Sequence, residues 1–306
     1  MKIVFLGAGG VGGYFGARLA ASGCDVTFVA RGAHLAAMRE NGLKVISPRG
    51  DVTISPVKAV ETISQVEAAD LIIVGVKLWD TASIAPTLRP LVEKGAAVMS
   101  LQNGVQKDDI LKQYLTPSAI LGGVCFISAT ISAPGVITHA APMAKIVFGE
   151  FGSQTSSRAQ AFLAACSKAG IDAELSPAIE RAIWEKFVFI VGVSATTTSM
   201  RQPIGVVRGL PLSRALLLDI MKEVVAVGRA RGVDLAPDFA ENRLAFCDTL
   251  PPAMDSSMHH DLRSGNRLEV PWLSGGVVEM GGSVGVPTPL NRTIAAVLAP
   301  YADGAK

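Results

Sequence analysis

The chain opens on an apolar run, Lys2-Ile3-Val4-Phe5-Leu6, which passes directly into Gly7-x-Gly9-x-x-Gly12. A helical pattern carried by Tyr14, Phe15, Ala17, Leu19 and Ala20 follows. Strand, glycine turn and helix in that order are what a dinucleotide-binding fold requires. Gly7 permits the tight turn out of the strand, and Gly9 lets the backbone approach a pyrophosphate. Gly12 lets the helix pack closely on the sheet. Gly7, Ala8, Gly9, Gly10, Val11 and Gly12 are therefore the expected cofactor loop, with phosphates facing the N–H groups at the positive end of the helix. The competing reading is a turn of purely structural use, since 31 of the 306 residues are glycine.

The next stretches continue a parallel sheet. Asp25-Val26-Thr27-Phe28-Val29-Ala30 reads as the second strand and ends at Arg31-Gly32. An NAD-binding strand commonly ends here in Asp or Glu, which accepts from the ribose 2′-OH; a carboxylate would repel a 2′-phosphate, whereas a guanidinium binds one bidentately. Arg31 thus points to NADP, against the plainer reading of an exposed arginine at a helix start. Residues 43–47 and 52–55 read as a hairpin inserted on the sheet, and a short helix is expected over 61–68. Asp70 to Val76 is a continuous apolar run suited to a strand buried on both faces. A helix over about 80–93 and a strand over 96–100 follow. Lys77 and Asn103 then lie just past the carboxyl ends of two buried strands, the edge where open α/β sheets bind ligands.

From 119 to 149 the pattern is all strand: 119–126, 127–132, 136–139 and 145–149, an antiparallel tail finishing a mixed sheet. His139, within it, reads as structural or exposed rather than as a substrate contact. A helix over 157–169 and a short strand over 172–175 close the first domain, taken as 1–174. The second, 175–306, is helical by periodicity, with helices expected at 178–199, 212–231, 236–249, 269–283 and 288–299. The first of these carries Trp184-Glu185-Lys186-Phe187 before turning apolar. A lysine entering a buried helix has its pKa depressed by desolvation, which suits proton donation. A solvated lysine at the mouth of a core helix is the plainer alternative. Ile190 and Ser194 lie one and two turns further along the same face. The apolar helices could also form a homodimer interface.

Composition excludes several classes. The chain is 49% apolar and 18% charged with a net charge of +2, and no basic run suits nucleic acid. The uncharged helical stretch Phe187–Met200 spans 14 residues, too short for a membrane span. Cys24, Cys125, Cys166 and Cys247 lack CxxC spacing and read as buried free thiols, in keeping with a soluble, cytoplasmic protein. His259, His260 and Asp261 are ligand types, but adjacent histidines on a helix point about 100° apart, so no metal site is expected. Ser256-Ser257 reads as a helix N-cap region.

Taken in order, Gly7-x-Gly9-x-x-Gly12, Arg31, Val76-Lys77, Gln102-Asn103-Gly104, Glu185-Lys186-Phe187 and Ser256-Ser257-Met258…Asp261…Glu269 span the whole chain. The constellation resembles the ketopantoate reductases (2-dehydropantoate 2-reductases). That resemblance implies an α/β fold: an N-terminal Rossmann-type doubly wound sheet with a C-terminal all-helical domain like that of 6-phosphogluconate dehydrogenase. It implies NADPH-dependent reduction of ketopantoate to pantoate, a step of pantothenate and coenzyme A biosynthesis. Lys186 matches the general acid, and Glu269 the residue that positions substrate and lysine at the cofactor. Asn103 matches a contact to nicotinamide and substrate, Lys77 one on the cofactor side, Ser257 a substrate contact and Arg31 the 2′-phosphate contact. Substrate-side positions Ile190, Ser194 and Met254 stand where the family usually has Asn. Those changes motivate an alternative, a more apolar keto or hydroxy acid. A non-catalytic NADP-binding protein is a further alternative, against which Lys186 and Glu269 together count.

Overall fold

A computed structural model of the chain describes residues 1–152 and 155–305. Two compact units separate: Met1–Asn103 with Lys107–Ala182, and Gly104–Gln106 with Ile183–Lys306.

The first unit begins β1 (Lys2–Leu6), α1 (Gly10–Ala21), β2 (Asp25–Val29), α2 (Gly32–Asn41), β3 (Leu43–Ile46), β4 (Val52–Ile54) and β5 (Ala59–Val60). It continues with β6 (Leu71–Val74), α3 (Thr81–Ile84), α4 (Arg89–Glu93), β7 (Ala97–Ser100) and α5 (Gln106–Tyr114). β8 (Ile120–Ala133), β9 (Val136–Glu150), α6 (Ser157–Lys168) and β10 (Asp172–Leu175) complete it. One sheet holds all ten strands in the order β4-β3-β9-β8-β7-β6-β1-β2-β5, with β10 paired to β9. β1 pairs in parallel with β2 on one side and β6 on the other, so the strand order reverses at β1. The expected doubly wound sheet is present. Its central strands are apolar throughout because helices and loops cover both faces: Ile72, Ile73 and Val74 in β6 are fully buried.

α1 lies close on this sheet because glycines stand where it approaches the strands most nearly. A Cβ at Gly12 would stand 2.0 Å from the Gly7 carbonyl oxygen, and one at Gly16 2.4 Å from the Phe28 ring. The close approach expected at Gly12 therefore extends a full turn further.

Several elements differ from the expectations. The helix over 61–68 is a single 3-10 turn, Ile63–Gln65, held by a capping box with Thr62. The helix over 80–93 is broken into α3, a 3-10 turn and α4, since Pro86 and Pro90 lack the N–H groups a continuous helix needs. The four strand segments of 119–149 are two long strands, β8 and β9, forming one hairpin with register shifts between Ile127 and Ala129 and between Ile131 and Ala133. This hairpin does not end the sheet: β3 pairs in parallel with β9 and carries β4 beyond it. The extra strand β5 was not expected; it is two residues long, too short for a periodic signal.

The second unit is all helical. Its elements are α7 (Ile179–Met200, its first four residues in the first unit), α8 (Ile204–Gly209), α9 (Pro211–Ala230), α10 (Phe239–Thr249), α11 (Ser257–Arg263), α12 (Ser274–Ser283) and α13 (Pro289–Leu298). The helix α8 was not expected, and α11 is the helix that the N-cap reading of Ser256-Ser257 points to. The one expected from 269 begins instead at Ser274, because a turn comes first, in which Trp272 and Leu273 donate to the Glu269 carbonyl at 2.9 and 3.0 Å. Pairing of α7 with α9 is again close: a Cβ at Gly228 would lie 2.8 Å from the Trp184 ring, and one at Gly192 2.5 Å from Met221. The Glu223 carboxylate accepts from the N–H groups of Leu290 and Asn291, capping α13.

Among the described residues no helix is long and apolar enough to cross a membrane. All four cysteines are free; Cys24 is half-buried rather than buried, because it sits in the open turn before β2. Burial pushes the Cys166 thiol up to about 12 and that of Cys247 to about 11.

His139 is structural. It is buried, its Nε2 donates to the Met143 carbonyl at 3.0 Å, and its Nδ1 meets the Ser47 hydroxyl at 2.9 Å. Its ring lies 4.5 Å from that of Tyr14. Burial lowers its pKa, and the charges of Arg18 and Arg49 lower it further. A depressed histidine supplies stability in full above its ordinary value near 6.5 and loses it as pH falls through the folded value. The melting temperature is therefore expected to drop between pH 7 and pH 5, and His139→Gln to flatten that drop. A parent Tm that stays level across the range would contradict the assignment.

Candidate active site

The sheet edge is built first by the loop after β1. Gly7 has φ +103°, which only glycine adopts without strain, and a Cβ there would stand 2.8 Å from Val76 N. The turn is thereby pressed against the loop that follows β6, beside the reversal point of the sheet. Gly9 is different: a Cβ there would meet nothing within 4 Å. It caps α1, and a glycine cap leaves the helix's first N–H groups uncovered by any cap side chain. Room beside Gly9 and the positive end of a 12-residue helix fit a pyrophosphate. Gly10 has another reason to be glycine, since a Cβ would collide with the Ala129 carbonyl at 1.9 Å.

Arg31 is the N-cap residue of α2, exposed, directly past β2 and Ala30.

Lys77 and Asn103 follow parallel neighbours, β6 and β7, whose registers pair Val74 with Ser100. Both are half-buried past the same edge, and the Lys77 ammonium lies 5.5 Å from the centre of the Trp79 ring. The two loops are joined by Gln102. Its Nε2 donates to the Val76 carbonyl and to Thr81 Oγ1, both at 2.9 Å, and its Oε1 accepts from the Ser100 hydroxyl at 2.9 Å. This buried, fully satisfied amide holds the backbone on either side of Lys77 and Asn103 at one spacing. Sequence reasoning saw Gln102 only as part of a motif. No local signal could reveal that its partners lie 21 and 26 residues away.

In the second unit, Lys186 lies in α7, half-buried, with Ile190 half-buried and Ser194 5% exposed at successive turns. Glu269 is buried at 4% exposure, and its backbone carbonyl closes the turn before α12. Ser257, exposed, is the first residue of α11. The expected cap is Ser256, whose Oγ accepts from His259 N at 3.1 Å and meets Thr197 Oγ1 at 2.7 Å. That contact ties α11 to the far end of the helix that carries Lys186. Met254 is half-buried, its carbonyl accepting from Ile204 N at 3.0 Å. His259 is buried with Nδ1 against Asp255 Oδ1 at 2.5 Å, and Asp255 Oδ2 also pairs with Arg263 at 2.8 Å. Among the described residues no group of three or more His, Cys, Asp or Glu side chains could hold a metal.

Comparison with known proteins is consistent along the whole chain. The family model described as "Ketopantoate reductase PanE/ApbA" matches residues 3–153, and its C-terminal counterpart matches 178–302. A 2-dehydropantoate 2-reductase of Halobacterium salinarum is 31% identical, covering 96% of this chain and 97% of its own. An uncharacterized oxidoreductase of Bacillus subtilis, YkpB, is 29% identical over 98% of this chain and 99% of its own. The crystal structure of 2-dehydropantoate 2-reductase from Geobacter metallireducens superposes with a TM-score of 0.91 at 31% identity, covering 98% and 99% of the two chains. D-mandelate dehydrogenase in a ternary complex with NADH and anilino(oxo)acetate superposes at 0.89 with 21% identity, covering 98% of each chain, a likeness of fold.

Proposed function

For a chain that belongs to the ketopantoate reductase family, oxidoreductases acting on CH–OH groups and small keto acids, we propose NADPH-dependent reduction of a 2-keto acid, with ketopantoate first. The observation that carries this reading is Lys186, a half-buried cation at the start of the apolar stretch of α7, on the face continued by Ile190 and Ser194. Arg31 supports the phosphorylated cofactor: no carboxylate ends β2, and a guanidinium stands in its place.

NADPH, held by Gly7–Gly12 and Arg31, would supply the hydride for the keto carbon. The Lys186 ammonium donates a hydrogen bond to the carbonyl oxygen and stabilises the negative charge that gathers there. It then delivers the proton that completes the alcohol. The neutral amine regains a proton from solvent. Glu269 positions lysine and substrate, Asn103 serves nicotinamide and substrate, Ser257 contacts the substrate, Lys77 contacts the cofactor and Arg31 binds the 2′-phosphate.

A second reading, a more apolar 2-keto acid, is favoured by Ile190 and Met254, neither of which offers a hydrogen bond to a substrate hydroxyl. Following the absorbance of NADPH with ketopantoate and with phenylglyoxylate separates the two. Two lost hydrogen bonds are worth on the order of a hundredfold in kcat/KM. A clear preference for ketopantoate supports the first reading, and a preference for phenylglyoxylate supports the second. Consumption of NADPH with neither acid overturns both.

A further inference from the structure

We infer that His34 is a positioning residue of the dinucleotide site, holding the Ala8–Gly9 peptide so that the Gly9 N–H faces the phosphates. His34 lies in the first turn of α2, half-buried, three residues after Arg31. Its Nδ1 is 3.0 Å from the backbone N of Gly135, in the turn between β8 and β9, and its Nε2 is 2.9 Å from the Ala8 carbonyl oxygen. A backbone N–H can only donate and a carbonyl can only accept. Nδ1 must therefore present its lone pair and Nε2 its hydrogen, which makes His34 a neutral imidazole of one tautomer. Burial lowers its pKa, in keeping with that neutral form.

What this does to the loop follows from peptide geometry. In a planar trans peptide the carbonyl and the next N–H point in opposite directions. With the Ala8 carbonyl drawn to His34, the Gly9 N–H is turned the other way. Rotation of this peptide changes ψ of Ala8 and φ of Gly9, and Gly9, without a side chain, resists it less than another residue would. The tether replaces the stiffness that a glycine at position 9 removes. It also joins three segments that sequence separates widely: the glycine loop, the helix headed by Arg31, and the β8–β9 turn.

The inference rests on reading Gly7–Gly12 as the pyrophosphate loop, and the experiment separates the two. The apo protein is titrated with NADPH and with NADH, as parent, His34→Leu and His34→Gln, with the melting temperature of each measured alongside. A pyrophosphate effect is common to both cofactors, so His34→Leu should weaken both by about tenfold, the value of one well-made hydrogen bond. The Gln amide carries an acceptor and a donor at nearly the imidazole spacing and should restore most of the affinity. Equal binding by parent and His34→Leu overturns the inference alone. So does a loss that His34→Gln leaves unrepaired, or one confined to NADPH. A parent that binds neither cofactor overturns the loop reading and the inference with it. Should His34→Leu not fold, nitrogen-15 spectra of the histidines in the parent decide: a hydrogen on Nδ1 of His34 overturns the inference, and one on Nε2 alone supports it.

Discussion

Lys186→Ala is expected to lower kcat with a 2-keto acid by about 10²–10⁴-fold, the usual worth of a positioned general acid, while NADPH binding stays near the parent value. The two readouts separate because the glycine loop and Arg31 belong to the first compact unit and Lys186 to the second. Lys186→Arg discriminates further. Arginine keeps the positive charge that stabilises a developing alkoxide but cannot release its proton at ordinary pH. Its rate should fall between those of the parent and Lys186→Ala. If Lys186→Ala turned over within threefold of the parent, the proton would have to come from elsewhere and the proposed role of Lys186 would be wrong.

The second large effect concerns stability. Lys107 and Asp108, adjacent in the first turn of α5, form an ion pair of 2.6 Å with side chains only 1% and 5% exposed. Asp108 Oδ1 is buried and has no hydrogen-bond partner. Burial pushes the Asp108 carboxyl up, against the pull of the Lys107 ammonium. Removing the cation leaves a buried carboxylate uncompensated, which costs roughly 3–5 kcal/mol. Lys107→Met should therefore unfold in markedly less urea than the parent, and Lys107→Met with Asp108→Asn should recover most of the loss. The sign with pH is fixed as well. A carboxyl raised in the folded state favours folding while protonated and loses that contribution as pH rises. The deficit of Lys107→Met should thus be smaller at pH 5 than at pH 8. A single variant as stable as the parent at both values would refute the pair's role.

Much of this is legible in the sequence. The glycine loop, the strands at 25–30, 70–76 and 96–100, and the placement of Arg31, Lys77 and Asn103 just past strand ends are local facts. Each is carried by a run of apolar residues and the residues that stop it. The position of Lys186 on α7 with Ile190 and Ser194 one and two turns on is equally local, because helical spacing decides it. Where proline interrupts, as at Pro86 and Pro90, the apolar pattern survived while the helix did not, since periodicity records faces and not backbone hydrogen bonds.

Other features depended on partners far away in sequence. Nothing near residue 130 says that β8 and β9 are single long strands, or that β3 will pair with β9; register is a property of two strands together. The need for glycine at Gly10, Gly13 and Gly16 shows only when Ala129, Ile137 and Phe28 are seen at the places where their side chains would be. Nothing local to His34 or to Lys107-Asp108 marks them out in the sequence. The sequence by itself determined the alternation of the opening strands and helices, the glycine loop and the charge at the end of β2, because these follow from neighbours along the chain. Only the tertiary structure decided which carbonyl His34 holds, which backbone Gln102 clamps and which charges are shut away from water. Those depend on groups between 21 and 101 residues apart meeting across the sheet, or on how deeply a side chain is finally buried.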